Sequence, residues 1–153
     1  MASPRTIYLL SRLHYALRKK IDNRLAANKL TAVKYTVMSM LRGRRSLSSA
    51  EIARRYCVTP QSMNETICAL ERSDCVTKEE NPENKRILLV SLTPTGHDML
   101  ERCDKIIDQI ERELFAEIGQ ADVERFRSTL QTVMAAAMGP NDQETRAKPR
   151  SQG

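Results

Sequence analysis

Apolar side chains spaced three and four residues apart predict four long helices in this chain. The segments with this spacing are residues 6–23, 32–42, 94–118 and 122–138. Helix-ending signals follow three of them: Gly43 after the second, Gly119 after the third and Gly139-Pro140 after the fourth. Asn28-Lys29 separates the first two helices. The chain is therefore predicted to be mainly α-helical.

Two shorter helices are predicted between the second and third long ones. Ser48 followed by Glu51 forms a capping box, in which each side chain bonds the backbone N–H of the other residue. Thr59 followed by Pro60 supplies an N-cap and a proline at the first helical position. The residues around Val58 then form a tight connection between the two helices that start at these signals.

A small β-hairpin is predicted directly after the shorter helices. Residues 75–77 and 86–92 are rich in β-forming side chains, and residues 79–84 between them have turn chemistry. Ser46-Leu47 can add a minimal third strand. A helix, a turn, a second helix and a hairpin in this order are typical of a winged helix-turn-helix, a DNA-binding unit. The predicted fold class is thus mainly α with a small β-hairpin wing, a winged helix-turn-helix joined to a helical dimerisation domain.

The second of the shorter helices has the composition of a DNA recognition helix. Met63, Ile67 and Leu70 form a buried stripe, which leaves the opposite side polar. Near the helix start that side carries Gln61, Ser62, Asn64 and Glu65. Gln and Asn can pair bidentately with adenine, and Glu can accept a hydrogen bond from cytosine. The alternative is a polar surface that faces solvent, but the helix-and-hairpin outline favours major-groove recognition.

Basic residues are concentrated at the start of the chain. The 153 residues carry a net charge of +6, whereas residues 1–45 alone have eleven basic side chains and one acidic, a net charge of +10. The predicted DNA-reading segment, residues 46–92, has six basic and seven acidic side chains. Two interpretations remain open. In the first, the basic side chains of residues 1–45 simply face solvent on one side of a helix. In the second, some of them face an anionic ligand or DNA phosphates.

Several other protein classes are excluded by motifs that the sequence lacks. It has no run of 18 apolar residues and no signal-peptide pattern, so we expect a cytoplasmic protein without a membrane partner. The four cysteines form no CxxC pair and there are only two histidines, so we expect free thiols, no metal site and no cofactor. No glycine-rich phosphate loop, HExxH or GxSxG motif is present, so we predict that the protein is not an enzyme.

The helices at the two ends of the chain are too apolar for a monomer of this size. We therefore predict a homodimer, with residues 1–30 and 96–138 as the helical dimerisation region and residues 31–95 as the winged helix-turn-helix domain. Residues 139–153 are predicted to be a disordered tail. A dimer of DNA-reading domains binds two half-sites, which raises its affinity for DNA.

The hairpin and the start of the following helix carry a family pattern. Asn84-Lys85-Arg86, followed by Leu92-Thr93-Pro94-Thr95-Gly96, resembles the wing of the MarR (multiple-antibiotic-resistance regulator) repressors. The usual pattern of that family is Asp-x-Arg and then Leu-Thr-x-x-Gly. The resemblance covers about residues 6–138. Two departures are Asn84 in place of the aspartate and Asp74 in place of a common glycine; the first deprives the wing arginine of a charged partner and predicts a less rigid wing.

The resemblance implies a transcriptional repressor that binds a pseudo-palindromic operator in double-stranded DNA as a homodimer. It places Arg86 in the minor groove. The candidate DNA-contacting residues come from the wing, the recognition helix and the helix starts. They are Ser48, Ser49, Thr59, Gln61, Ser62, Asn64, Glu65, Asn84, Lys85 and Arg86.

The resemblance also implies a small-molecule effector, bound between the first, second and fifth helices, that releases the repressor from DNA. The candidate residues there are His14, Tyr15, Arg18, Tyr35, Met38 and Met99. The positive charge of residues 1–45 favours an anionic effector. It would be either an aromatic acid or its acyl-coenzyme A thioester, as in family members that control aromatic catabolism. Two alternatives are a thiol-based redox-sensing repressor and a ligand-independent DNA-binding protein. In the redox-sensing members the cysteine of the first helix falls close to Ser11 of this chain.

Overall fold

Six α-helices and a three-stranded antiparallel sheet form the described part of the chain, residues 3–43 and 46–138 of a computed structural model. The helices are α1 (Thr6–Leu25), α2 (Ala32–Leu41), α3 (Ser49–Tyr56), α4 (Pro60–Arg72), α5 (Pro94–Leu114) and α6 (Gln120–Ala137). The strands are β1 (Leu47–Ser48), β2 (Val76–Asn81) and β3 (Asn84–Leu92). The chain forms two compact units that divide between Ile110 and Glu111, so α5 belongs to both. The predicted tail, residues 139–153, lies outside the described residues.

The core of the first unit takes one apolar face from each helix that surrounds it. The predicted stripe of Met63, Ile67 and Leu70 on α4 is completely buried, which confirms that the opposite side of this helix faces outward. The other buried members of the same core are Leu25, Leu30, Val37, Met38, Leu41, Leu47, Ile52, Ala53, Cys75, Val76, Val90, Leu100 and Cys103. Each strand of the sheet contributes one buried residue to this core: Leu47 from β1, Val76 from β2 and Val90 from β3.

Both predicted helix starts in the DNA-reading segment are confirmed. The hydroxyl of Ser48 accepts a hydrogen bond from the Glu51 N–H at 3.2 Å, and the Glu51 carboxylate accepts one from the Ser48 N–H at 2.8 Å. The hydroxyl of Thr59 accepts from the Ser62 N–H at 3.2 Å, with Pro60 as the first residue of α4. Between the two helices Cys57 adopts a left-handed backbone with φ of 60°. The tight connection therefore turns at Cys57 and Val58.

The predicted extent of the hairpin turn is wrong. Glu79 and Glu80, assigned to the turn, pair with Leu89 and Leu88 of β3, and only Pro82-Glu83 separates the two strands. The strand order is β1-β3-β2, so β2 is an edge strand. Charged side chains are tolerated on an edge because one side of the strand is solvated, and backbone pairing with β3 outweighs their weak strand preference.

Some predicted helix ends also differ from the structure. The fifth helix ends at Leu114 and not at residue 118, since residues 115–118 form a turn in which the Ile118 N–H bonds the Phe115 carbonyl at 3.0 Å. Phe115 packs there against Phe126 of α6, with ring centroids 6.1 Å apart. Apolar side chains in this turn continue the helical spacing, but the backbone no longer follows it.

A bulge shapes the tip of the wing, which we define as residues 78–86. Asn81 pairs with Asn84, whereas Glu80 pairs with Leu88, so Lys85, Arg86 and Ile87 have no partners on β2. Two asparagines complete the tip: the Asn81 side chain accepts from the Glu83 N–H at 3.0 Å, and that of Asn84 accepts from the Arg86 N–H at 3.1 Å. Bulges of this kind bend a strand and redirect its side chains.

A tight joint connects the end of α4 to the start of α5. We call it the α4–α5 joint and define it by Asp74, Cys75, Thr93, Thr95 and Gly96. The Cys75 carbonyl accepts from the Thr93 N–H at 3.1 Å, and the Thr93 hydroxyl donates to the Asp74 carbonyl at 2.5 Å and accepts from the Gly96 N–H at 2.9 Å. The Thr95 hydroxyl donates to the Asp74 carboxylate at 3.0 Å. Every polar side chain of the joint is thus in use.

Among the helices of residues 3–43 and 46–138, none has the length and apolar content that crossing a membrane requires.

We expect Gly96→Ala to destabilise the fold, because a methyl group there would lie 1.9 Å from the Cys75 carbonyl oxygen. Overpacking against a backbone that is itself hydrogen-bonded should cost about 2 kcal/mol or more of unfolding free energy in urea denaturation. Gly119→Ala is the matched control, since its nearest neighbouring atom is 4.0 Å away. Equal stability of the two variants would contradict the described packing of the joint.

Candidate nucleic-acid interface

The first turns of α4 present the four predicted base-reading side chains on the surface. Gln61, Ser62, Asn64 and Glu65 are all exposed, on the side opposite the buried stripe. The Thr59 cap and Pro60 fix where the helix begins, and the core fixes its rotation about its own axis. The sequence therefore determines which side chains of α4 point outward.

Three other candidate DNA-contacting residues lie at helix starts. Ser48 is half-buried, and its hydroxyl both accepts from the Glu51 N–H and donates to the Glu51 carboxylate at 2.9 Å. Ser49 is half-buried at the first position of α3, and Thr59 is exposed. Ser48 and Thr59 thus have a structural role as caps, and their contact with DNA stays a prediction.

The wing presents Arg86 from its bulge. Asn84, Lys85 and Arg86 are exposed, and Asn84 braces the backbone of Arg86 through the hydrogen bond to its N–H. Over residues 78–86 the wing has three basic and three acidic side chains, so its formal charge is zero. The only ion pair of these residues within the described structure joins Lys78 to Glu71 of α4 at 2.7 Å.

The thiol of Cys68, on the recognition helix α4, is only partly accessible to solvent. It is half-buried, and the Lys78 ammonium lies 3.4 Å from its sulfur. Cys75 and Cys103 are buried and Cys57 is exposed, and none of the four is in a disulfide. Burial raises the pKa of the Cys103 thiol, which lowers its reactivity.

A polar cluster that the sequence did not predict ties α2 to α5. The Tyr35 hydroxyl donates to the Asp104 carboxylate at 2.8 Å, and the Arg42 guanidinium binds both oxygens of the same carboxylate at 2.6 and 2.5 Å. Burial and the hydrogen bond to Asp104 raise the pKa of Tyr35 to about 12. The one indication in the sequence that Asp104 lies at the edge of the core is its position directly after Cys103. Cys103 belongs to the apolar pattern of α5 and is buried.

A cleft of about 290 Å³ opens beside the start of α4. Its walls come from α1, the start of α2, the α3–α4 connection and α4, and its lining residues are Arg18, Thr31, Val33, Lys34, Tyr56, Val58, Ser62, Met63 and Thr66. Sequence reasoning did not single out Lys34 or Tyr56. No periodicity relates these positions, because the cleft is created by the way four separate segments pack.

The six predicted effector-binding residues occupy different environments. Arg18 is the only one of the six that lines this cleft. His14 and Tyr15 are exposed on α1, with ring centroids 5.7 Å apart. Tyr35 binds Asp104, Met38 is completely buried in the core and Met99 is half-buried against it. A ligand can therefore reach Met38 only if the surrounding core opens.

Comparison with known proteins agrees with the shape of this unit. The MarR family model matches residues 30–88. The HTH-type transcriptional repressor Rv2887 of Mycobacterium tuberculosis is 29% identical over 124 residues, which are 81% of this chain and 89% of Rv2887. Its solved complex with p-aminosalicylic acid has a TM-score of 0.70 at 26% identity and covers 86% of this chain and 100% of that one. The repressor CouR bound to a 23-mer DNA duplex has a TM-score of 0.79 at 21% identity and covers 86% and 93%.

These comparisons support a MarR-family winged helix-turn-helix regulator.

The MarR run Leu-Thr-x-x-Gly, residues 92–96 here, has a physical explanation in the α4–α5 joint. The threonine supplies three hydrogen bonds of the joint, and the glycine is required because any side chain would meet the Cys75 carbonyl. Asp74 stands where a glycine is common in this family and has φ of 56°. Its carboxylate accepts from Thr95, which compensates for the left-handed backbone of a residue with a side chain.

The other departure from the MarR pattern is Asn84. Its amide oxygen satisfies the Arg86 N–H, which the bulge removes from the strand ladder. This bond restrains the backbone of the wing, so the lost charge of the usual aspartate does not remove the brace. The Arg86 guanidinium itself has no carboxylate partner among the residues that the structure describes.

We expect the absorbance titration of the protein to contain a Tyr35 midpoint near pH 12, which disappears in Tyr35→Phe. Its folded pKa lies above the unfolded value of about 10. The stability that it contributes is therefore fully present below pH 10 and is lost as the pH rises through 12. The unfolding free energies of wild type and Tyr35→Phe should accordingly converge over this window. A Tyr35 midpoint near pH 10 would contradict the bond to Asp104.

Proposed function

We propose that this protein is a cytoplasmic transcriptional repressor that binds a pseudo-palindromic operator as a homodimer and is released by a small anionic aromatic effector. The observation that carries the proposal is the exposed polar start of α4 next to a wing whose bulge presents Arg86. Such an arrangement suits one helix in the major groove and one arginine in the adjacent minor groove. The repressor assignment also draws support from Rv2887, whose name describes it as a transcriptional repressor.

Exposed apolar side chains in each unit support the homodimer. On α1, Ile7 is 78% exposed and Tyr15 is 73% exposed, with Tyr8, Leu9 and Leu13 also on the surface. On α6, Phe126, Val133 and Met134 are exposed. Patches of this kind mark interaction sites in proteins that are otherwise polar outside, and a second copy of the chain is the proposed occupant.

The effector is proposed to be an aromatic acid or its acyl-coenzyme A thioester. Residues 1–45 have a net charge of +10, which favours an anion, and the solved Rv2887 complex contains p-aminosalicylic acid. The residues proposed to take part are His14, Tyr15, Arg18, Tyr35, Met38 and Met99. The mechanism is a shift of population, in which the ligand binds the DNA-free conformation more tightly than the DNA-bound one.

Arg86→Ala should weaken operator binding by about 1–3 kcal/mol, because it removes a cation from the groove without disturbing the core. Fluorescence anisotropy with a mapped operator at fixed salt measures the change. Arg102→Ala is the control, since Arg102 is an exposed arginine on α5 outside the proposed interface. Unchanged affinity of the Arg86 variant would remove the wing from the proposed interface.

Ile7→Glu should shift the protein from dimer towards monomer, because it puts a charge into the proposed apolar contact. Sedimentation velocity at micromolar concentration should give twice the chain mass for wild type. Asn23→Glu on the same helix is the control, since Asn23 is already exposed and polar. A monomeric wild type that binds a single half-site would contradict the homodimer.

A further inference from the structure

The ammonium group of Lys78 joins the base of the wing to the recognition helix. It lies 2.7 Å from the Glu71 carboxylate and donates a hydrogen bond to the Cys68 sulfur at 3.4 Å. Cys68 and Glu71 are three residues apart on α4, so they lie on the same face of that helix. The Lys78 side chain is only 18% exposed, since its stem crosses from β2 to α4. The first residue of the wing is therefore held by two side chains of one helix face.

The strand pattern explains why Lys78 faces α4. Val76, two residues earlier on β2, is buried in the core. Side chains two residues apart lie on the same side of a strand, so Lys78 points the same way as Val76. Its position on β2 thus directs a charged side chain along the core and onto the recognition helix.

Lys78 also marks the level at which the hairpin leaves the core. It pairs with the buried Val90, whereas Glu80 pairs with Leu88, which is 47% exposed. At that second level β1 no longer pairs with β3, so the wing continues as two strands alone. A two-stranded hairpin is only marginally stable by itself in water. The direction of the wing must therefore be fixed at its base.

The charge of Lys78 is used inside the protein. The hydrogen bond from its ammonium to Glu71 raises the pKa of Lys78, which keeps this group positive. Lys85 and Arg86, the other two cations of the wing, are exposed and have no carboxylate within ion-pair distance in residues 3–43 and 46–138. These two are available to a polyanion, whereas Lys78 is already neutralised by Glu71.

We propose that Lys78 is a positioning residue for DNA binding. Held by Glu71 and Cys68, it fixes the direction of the wing relative to the recognition helix, and so places Arg86 for the groove without itself neutralising a phosphate. The inference rests on the proposed function and assigns different roles to the three cations of the wing.

The reach of the wing makes a contact at its base effective. Arg86 lies between the Glu80–Leu88 pair and the Asn81–Asn84 pair, two to three residues beyond Lys78. At about 3.3 Å per residue this is roughly 7–10 Å. A rotation of about 10° at the base would move Arg86 by more than about 1 Å, which is enough to break a hydrogen bond.

Substitution of Glu71 tests the inference by the sign of its effect. Glu71→Gln removes a negative charge, so electrostatics alone would strengthen binding to DNA. We expect it instead to weaken operator binding at least about fivefold, because the wing loses its fixed direction and Arg86 its placement. Glu80→Gln is the matched control: Glu80 is an exposed glutamate of the wing with no ion pair among the described residues, so operator affinity should stay the same or rise.

Lys78→Gln separates positioning from phosphate contact. Fluorescence anisotropy over a series of salt concentrations gives the slope of log affinity against log salt, which falls by about 0.9 for each phosphate contact removed. We expect Lys78→Gln to weaken operator binding with this slope unchanged. The double variant with Arg86→Ala should bind within about twofold of Arg86→Ala alone, because the two residues act as one unit.

Reversal of the ion pair should restore the function. Glu71→Lys combined with Lys78→Glu should bind operator within about threefold of wild type, whereas each single change weakens binding. Circular dichroism melting of every variant checks that the loss of affinity occurs in folded protein. A phosphate contact by Lys78 would not be rescued in this way, since position 78 would then carry a carboxylate.

The outcomes separate this inference from the proposed function. If Glu71→Gln binds operator as tightly as Glu80→Gln does, Lys78 does not position the wing, and the repressor proposal stands. The same holds if Lys78→Gln lowers the salt slope by about 0.9 and its effect adds fully to that of Arg86→Ala. If wild type binds no operator, the proposed function fails and the inference fails with it.

Discussion

The carbonyl group of Cys75 is the constraint on which the DNA-reading unit depends. It accepts a hydrogen bond from the Thr93 N–H. Gly96 packs so closely beside it that no side chain can be added at position 96. The end of α4, the start of β2 and the start of α5 meet at this group. The strand ladder begins one residue later, with Val76 opposite Leu92. A shift at the joint would therefore change both the register of the wing and the position of the recognition helix, since a one-residue slip reverses the faces of a strand.

A second connection joins α2 to α5 through Asp104, whose carboxylate accepts hydrogen bonds from both Tyr35 and Arg42. The α4–α5 joint and the Asp104 cluster differ in the kinds of groups that form them. The joint is made of backbone groups and short hydroxyl side chains, so it fixes distances closely. The Asp104 cluster consists of longer side chains at a partly exposed site, where ion pairs contribute little to stability.

Sequence reasoning predicted the parts of this structure that local chemistry controls. The caps at Ser48 and Thr59, the buried stripe of α4 and the left-handed position of Gly43 all follow from neighbours within four residues. Long-range packing controls what it did not predict. The cleft is built from segments between Arg18 and Thr66, and the Tyr35–Asp104 bond spans 69 residues. The extended strand at Glu79 and Glu80 also depends on its partner β3, because glutamate itself has only a weak preference for strands.

The zero net charge of the wing has a consequence for how such a regulator would find its site in a genome. Affinity for arbitrary DNA comes from neutralised phosphates, and it grows with every cation brought to the duplex. A wing in which three carboxylates balance three cations adds little to that background attraction. Its one strongly directed contribution in the proposed complex is Arg86, whose benefit would depend on the width of the groove that we propose it enters. The ratio of specific to non-specific binding, which decides occupancy among millions of competing sites, rises when the background term is kept small.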